Sequence, residues 1–476
     1  DYAYAGSFYA FAIWIGMGVA AIVDGLKRLK VPETAASLVS LLALLVPIQM
    51  AGQTWDDHDR SGRYTCRDFG QNYLNSMDAK GNPVIFTNGD NDTFPLWYNQ
   101  ETEGVRTDAR VCNLSYLQTD WYIDQMRRPA YDSPSLPISW TRLQYVTGTR
   151  EGIPVQPDAL QQVIDYYKDS PEDLKQMLGD NPYELKNIIR HWVLNDNPDL
   201  QIFPTDSIVV TVDKEAVKRS GMMIAADSIP DVMHISLKGK RAIYKSEMMM
   251  LEMISQANWE RPLYMSTTVG PDNYGHLGDN FVQEGLACRI TPFDTKQSGR
   301  TIDSERMYNN MMNKFKYGGL KENPDIYLDE TVIRMCYTHR RLFNQLAQQL
   351  LKEGQKDKAL KVLQRAEEEI PGSIVPHEAF YGHSLELADA WLALGHKAEA
   401  EKLLNAVGQN AKEYIEWYLS LNTQRLLQSS RECLMQIYIL NDIAKTWEPI
   451  DKKKAETYRM EVNNYASRCH QRGMSL

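Results

Sequence analysis

Cysteine is scarce in this chain and widely scattered. Six residues, at 66, 112, 288, 336, 433 and 469, form no C-x-x-C pair, which excludes zinc-finger and thioredoxin-type readings on spacing. Long basic runs are missing too, and the net charge is −10. A protein that tracks nucleic-acid phosphates needs a basic stripe, so nucleic acid is excluded as a partner. The chain also lacks G-x-S-x-G, H-E-x-x-H, a Walker glycine loop and G-x-G-x-x-G. The stretch "PHEAFYGH" at 376–383 has the wrong histidine spacing for a zincin. His191, His234 and His276 stand alone and read as structural, and Met248, Met249, Met250 and Met253 read as helix core rather than a copper site. What remains is a chain with 43% hydrophobic and 24% charged residues, the mixture of a protein that buries a real core.

Charge is absent from two stretches near the start, "GSFYAFAIWIGMGVAAIV" at 6–23 and "TAASLVSLLALLVPIQMAGQTW" at 34–55. Each approaches the ~20 apolar residues that cross a bilayer. A signal peptide would carry a basic n-region, which is missing here, and two spans follow in tandem. Residues 1–55 therefore read as two transmembrane helices. Lys27, Arg28 and Lys30 in the connector place that loop on the cytoplasmic side. The expected location is the inner (cytoplasmic) membrane, with residues after about 55 periplasmic or luminal. A chain that starts in mid-membrane reads as the end of a larger membrane domain.

Residues 56–328 alternate short apolar runs with helical patterns. "PVIFTN" reads as a strand, "TFPLWYNQETEG" as a helix ending at Gly104, and "ARVCNLSYL" as a second strand, a strand, helix, strand unit with β-branched residues suited to buried parallel strands. The alternation returns at "DSIVVTV" (206–212), in a helix from 245, at "RPLYMSTT" and at "EGLACRITPF". The expected fold is one open, mainly parallel, Rossmann-like α/β sheet. An insertion at about 129–205 carries Tyr131, Trp140 and Tyr145, which mark a candidate surface for a ligand or partner.

Two polar clusters are the candidate sites. Asn88, Asp90, Asn91 and Asp92 follow a strand, where α/β sheets bind ligands. The structural alternative is that Asp92 is an N-cap with Pro95 in the first turn and Asp90 favouring the helix dipole. Pro95 excludes an EF-hand, because it falls where that loop needs glycine. Asp56, Asp57, His58, Asp59 and Arg60 follow the second apolar stretch. Oxygen and nitrogen ligands this close together suit a divalent cation or an acceptor contact at the membrane face. Four consecutive residues cannot all converge on one ion, however, so a solvated juxtamembrane turn competes, and no metal is assigned.

Residues 329–476 read as all helical. Ala347, Gly354, Ala359, Leu363 and Ala366 are matched 41 residues later by Ala388, Gly395, Ala400, Leu404 and Val407. Small residues where paired helices cross, with glycine at the turn, are the pattern of tetratricopeptide-type repeats. Such stacks bind segments of other proteins on a concave face or brace a neighbouring domain. A third helix pair, roughly 429–470, matches the pattern poorly and reads as a cap.

The stretches "DYAYAGSFYAFAIWIG", "WDDHDRSGRYTCRDFGQNYL", "TNGDNDTFPLWYNQETEGVRTDARVCNLSYLQTDWYIDQM" and "YKSEMMMLEMISQANWERPLYMST" resemble a bacterial family of polytopic membrane proteins. That family is grouped with GT-C glycosyltransferases and is similar to animal O-mannosyltransferases of plexin-type receptors. The resemblance implies transfer of a sugar from a polyprenyl-phosphate donor to a Ser or Thr hydroxyl, with a carboxylate as general base. Enzymes of that class hold the acid in the first outward loop, near N-terminal membrane helices that this sequence lacks, so no residue here takes the catalytic role by motif. No cofactor is expected in this part. The reading is the acceptor-handling C-terminal part of such a transferase, with acceptor or envelope proteins as partners of the repeats. The alternative is a non-enzymatic, membrane-tethered repeat scaffold for envelope assembly. A sugar hydrolase would need two carboxylates facing across a cleft, and Asp90 and Asp92 supply one side only.

Overall fold

The computed structural model describes residues 4–474, apart from the side chains of Asp56 and Asp57. The chain divides after Arg63 into two compact units.

In the first unit, α1 (Ala5–Arg28) buries none of its residues, and Phe8, Tyr9, Phe11 and Trp14 point outward. At 1.5 Å per residue it is about 36 Å long, enough to cross a hydrocarbon core of about 30 Å. The second apolar segment, Glu33–Trp55, is also long and apolar enough, but it is not one continuous helix. It breaks between α2 (Glu33–Leu42) and α3 (Leu45–His58). The cause is Pro47, which has no N–H to offer the carbonyl four residues back, at Ala43. That carbonyl accepts from Val46 N instead, at 3.3 Å, while Ala43 N and Leu44 N donate three residues back to Ser40 and Leu41 at 3.2 and 3.0 Å.

The second unit begins with α4 (Thr65–Ser76), β1 (Val84–Thr87), α5 (Asp90–Glu103), β2 (Arg110–Asn113) and α6 (Asp120–Met126). Then come β3 (Gly152–Pro154), β4 (Ser207–Thr211), β5 (Val232–Ser236), β6 (Ala242–Tyr244), α7 (Lys245–Gln256), β7 (Leu263–Ser266), β8 (Phe281–Gln283) and β9 (Ala287–Ile290). The main sheet has the order β2-β1-β7-β9-β8. It is mixed rather than mainly parallel: β1 runs parallel to β2 and β7, whereas β9 is antiparallel to both β7 and β8. Glu284, Gly285 and Leu286 alone separate β8 from β9, and a connection that short permits only an antiparallel pair.

The run at 206–212 does not join this sheet. β4 pairs with β5 in a separate antiparallel ribbon, and β3 with β6 in another. Within the main sheet β1 is buried on both faces: Ile85 packs into one core with Phe69, Tyr73 and Leu342, while Val84 and Phe86 pack into the other with Met248, Met249, Met250 and Met253. The period of two along a strand sorts them.

The C-terminal region is all helical: α8 (Glu330–Lys352), α9 (Lys356–Glu369), α10 (Ser384–Ala393), α11 (Lys397–Ser420), α12 (Ser430–Trp447) and α13 (Lys452–Gln471). Helices pack in sequential pairs, α8 with α9, α10 with α11 and α12 with α13. Ala347, Ala359, Ala388 and Ala400 are completely buried at the crossings. Gly354 and Gly395 take φ of 73° and 84° at the first two turns, a region L side chains avoid.

Candidate functional site

The loop from Asn88 to Asp92 joins β1 to α5, and Gly89 rather than Asp92 is the N-cap. Asp92 sits at the third helical position and reaches back, its Oδ1 accepting from Gly89 N at 2.9 Å. The capping box is thus closed from the acid side alone. Pro95 correspondingly falls in the second turn, not the first. It is tolerated beside a close crossing: a Cβ on Gly70 of α4 would stand 2.3 Å from Pro95 O.

Asp92 is 4% exposed and its second oxygen is also engaged. Oδ2 accepts from Thr268 Oγ1 at 2.8 Å, Thr268 Oγ1 lies 2.6 Å from Ser266 Oγ, and Ser266 donates to Tyr73 OH at 3.1 Å. Burial pushes the Tyr73 phenol up, so the chain of hydroxyls is neutral and ends on one carboxylate. This ties the start of α5 to the carboxyl end of β7. Asn88 is held by Ser115, whose Oγ lies 2.9 Å from both its carbonyl and its Oδ1. Beneath the loop, Thr93 Oγ1 lies 2.8 Å from Thr87 Oγ1 and accepts from Asn113 Nδ2 at 2.8 Å.

Asp90 and Asn91 differ from their neighbours. Both are exposed and neither side chain makes a hydrogen bond among the described residues. They form the rim of a cavity of about 520 Å³ whose far wall is the first turns of α8, with Thr331, Arg334 and Thr338. Arg334 pairs with Glu330 at 2.6 Å and lies 5.5 Å from the Tyr381 ring centroid. The residues lining that wall contribute a cation and two hydroxyls.

The other predicted cluster ends the first unit. His58 closes α3, with Nδ1 2.9 Å from Thr54 O, and Asp59 Oδ1 accepts from Ser61 N at 2.8 Å. The Ser61 hydrogen bonds hold the Asp59 carboxyl below its ordinary value. His58 and Asp59 thus turn toward their own backbone rather than converge. Arg60 is exposed, and the side chains of Asp56 and Asp57 lie outside the described residues.

In the insertion, Tyr131 is 61% exposed, but Trp140 and Tyr145 belong to the core. Tyr145 donates to Asp124 at 2.6 Å and accepts from Arg127 at 2.9 Å, so its polar end is satisfied inside. Sequence reasoning also missed two concavities. His234 and His276, each taken alone as structural, line one cavity of about 710 Å³. A second, of about 540 Å³, is walled by Trp97, Tyr116 and Trp121; its one sequence signal is aromatic density between 94 and 131. Among the described residues no group of three or more His, Cys, Asp or Glu side chains is placed to hold a metal ion.

The family model of TMEM260-associated domain 2 matches residues 66–310, just over half of the chain. Neither the curated proteins nor the solved structures contain a match.

Proposed function

The chain belongs to the TMEM260-associated domain 2 family, and from that premise we propose that it is the acceptor-handling part of a membrane glycosyltransferase. The donor in this reading is a polyprenyl-phosphate sugar and the product an O-linked hexose, as in protein O-mannosyltransferases. The two apolar N-terminal segments serve as membrane spans in this reading, with the larger unit on the outer side. One observation carries the reading: the cavity between the Asn88–Asp92 loop and α8. It lies at the carboxyl end of β1, where α/β sheets place their ligands. Its rim offers Asp90 and Asn91, two side chains with hydrogen-bonding capacity unspent. An extended acceptor segment seated there would donate backbone N–H groups to Asp90 and exchange amide hydrogen bonds with Asn91, while Thr331 and Thr338 contact it from the other wall.

The helix pairs serve as tetratricopeptide-type repeats in this reading and extend the acceptor surface. The exposed rings of Tyr414 and Trp417 on α11 are suited to that work. The same rings favour the second reading, a tethered scaffold that binds envelope proteins without transferring sugar. Mass spectrometry of O-linked hexose separates the two. Cells with the full-length gene are compared with cells lacking it; glycopeptides lost on deletion support the transferase, and an unchanged glycopeptide map supports the scaffold.

A further inference from the structure

The aromatic cavity lies on the later turns of α5. Trp97 and Glu101 form one wall, the start of β2 with Arg110 another, and Tyr116 and Trp121 a third. The Trp97 and Tyr116 rings are 9° from parallel with centroids 6.2 Å apart, and Tyr116 meets Trp121 at 6.0 Å and 49°. Trp121 is 54% exposed and Tyr131, at the mouth, 61%. Folding normally hides such rings, and a cluster left open around a concavity of this size is characteristic of a binding site.

The polar groups at the cavity are few and specific. Arg110 is 5% exposed; its Nη2 donates to the carbonyls of Gln125 and Arg128 at 3.0 and 2.7 Å, while Nη1 has no partner among the described residues. A buried guanidinium donor without an acceptor is costly unless something supplies one. Burial lowers the Arg110 pKa. Across the cavity the Glu101 carboxylate takes a hydrogen bond from Tyr131 OH and retains further acceptor capacity.

We propose that this groove binds a neutral hexose or short oligosaccharide, with pyranose faces stacked on Trp97 and Trp121 and hydroxyls hydrogen-bonded to Glu101 and Arg110. A pyranose has what this surface asks for. Its C–H faces are slightly positive and meet the negative faces of aromatic rings. Its hydroxyls both donate and accept, so one sugar can satisfy an acceptor-only carboxylate and a donor-only guanidinium together. A phosphorylated sugar would set its charge against Glu101. A proline-rich segment also docks in aromatic grooves but has no N–H at its prolines to give Glu101. A strand added along β2 is opposed because Tyr122 OH already takes Asn113 N on that edge at 3.0 Å. The groove and the Asp90 rim lie on different turns of α5, so sugar binding here stands independently of the transferase reading.

The test is saturation-transfer NMR on the full chain in a zwitterionic detergent without a sugar headgroup. The probes are maltotriose, cellotriose, mannotriose, N-acetylchitotriose and a proline-rich decapeptide. At least one trisaccharide is expected to receive saturation, and Trp121→Ala, which removes a stacking face, and Tyr131→Ala, which removes the ring at the mouth and the partner of Glu101, each to weaken it about tenfold, the equivalent of one lost ring contact. Both side chains are more than half exposed, so unchanged melting verifies that each variant folds. Leu143→Ala, at a site 81% exposed and outside the groove, leaves binding intact. No signal from any trisaccharide, binding indifferent to both aromatic variants, or binding of the decapeptide alone overturns the proposal.

Discussion

Cys433 on α12 and Cys469 on α13 place their sulfurs 3.9 Å apart, both fully buried. Burial pushes the Cys433 thiol up to about 12 and raises Cys469 as well, so little thiolate is present at neutral pH and reaction is slow. Given an oxidant such as diamide, which takes up the two electrons and two protons, these two thiols are expected to join before any other pair. Closing that loop adds about 3–4 kcal/mol by the chain-entropy relation. Peptide mapping after oxidation checks the pairing, and a melt with and without reductant checks the gain. A different first pair contradicts the helix packing described for the tail.

Acid should loosen the junction between α4 and α8. His339 is fully buried among the rings of Phe69, Phe315 and Tyr317, and its Nε2 lies 2.9 Å from Asn72 Nδ2. Burial brings its pKa down to about 3. The unfolded chain takes up this proton near 6.5 and the folded chain does not, so stability falls as pH drops from about 6.5 toward 3. Between pH 7 and 5 the loss is about 2 kcal/mol. Melts of wild type and His339→Phe across this range should converge on acidification; parallel curves would show that His339 is not the group responsible.

The Asn88–Asp92 loop separates structural from recognition roles residue by residue. Asp92→Ala removes the box to Gly89 and the acceptor for Thr268, and should cost about 1–2 kcal/mol. Asp90→Ala and Asn91→Ala remove exposed side chains that make no hydrogen bond among the described residues and should change stability by less than about 0.5 kcal/mol. Equal effects from all three in urea titrations would contradict this division.

Gly70 is required for space, not for its backbone angle. A Cβ there meets Pro95 O at 2.3 Å and Asn99 Nδ2 at 2.6 Å, and neither the carbonyl nor Asn99 can retreat easily, because Asn99 Nδ2 is bonded to Arg67 O at 2.8 Å. Gly70→Ala should therefore destabilise by about 2–3 kcal/mol or more. Gly104→Ala provides the contrast: nothing lies within 4 Å of its Cβ, and φ of 64° alone is at issue, for a cost of about 1 kcal/mol.

Local chemistry was legible in the sequence, and tertiary choice was not. The end of α5 at Gly104 followed from a residue that takes positive φ cheaply, but its start shifted because Asp92 can cap from inside the helix as well as from its edge. The run at 206–212 was recognisable as a strand, yet alternation does not say which sheet a strand joins, and β5 lay unrecognised to pair with it. Trp140 and Tyr145 read as surface because they stand in an irregular stretch; Asp124 and Arg127, which satisfy Tyr145 internally, are adjacent in space rather than in sequence. The break in the second apolar segment could have been read from Pro47. The two walls of the Asp90 cavity lie some 240 residues apart in the chain, and no local pattern links them.

Glycopeptide mapping of the full-length protein carrying Asp90→Ala and Asn91→Ala together tests the central claim most directly, because these exposed side chains make no hydrogen bond among the described residues. The account predicts normal accumulation and melting with O-linked hexose on acceptor proteins reduced at least about tenfold, the loss of about 1.4 kcal/mol of acceptor binding. Full glycosylation by this variant, in cells where deletion abolishes it, would show that the cavity between α5 and α8 does not handle the acceptor.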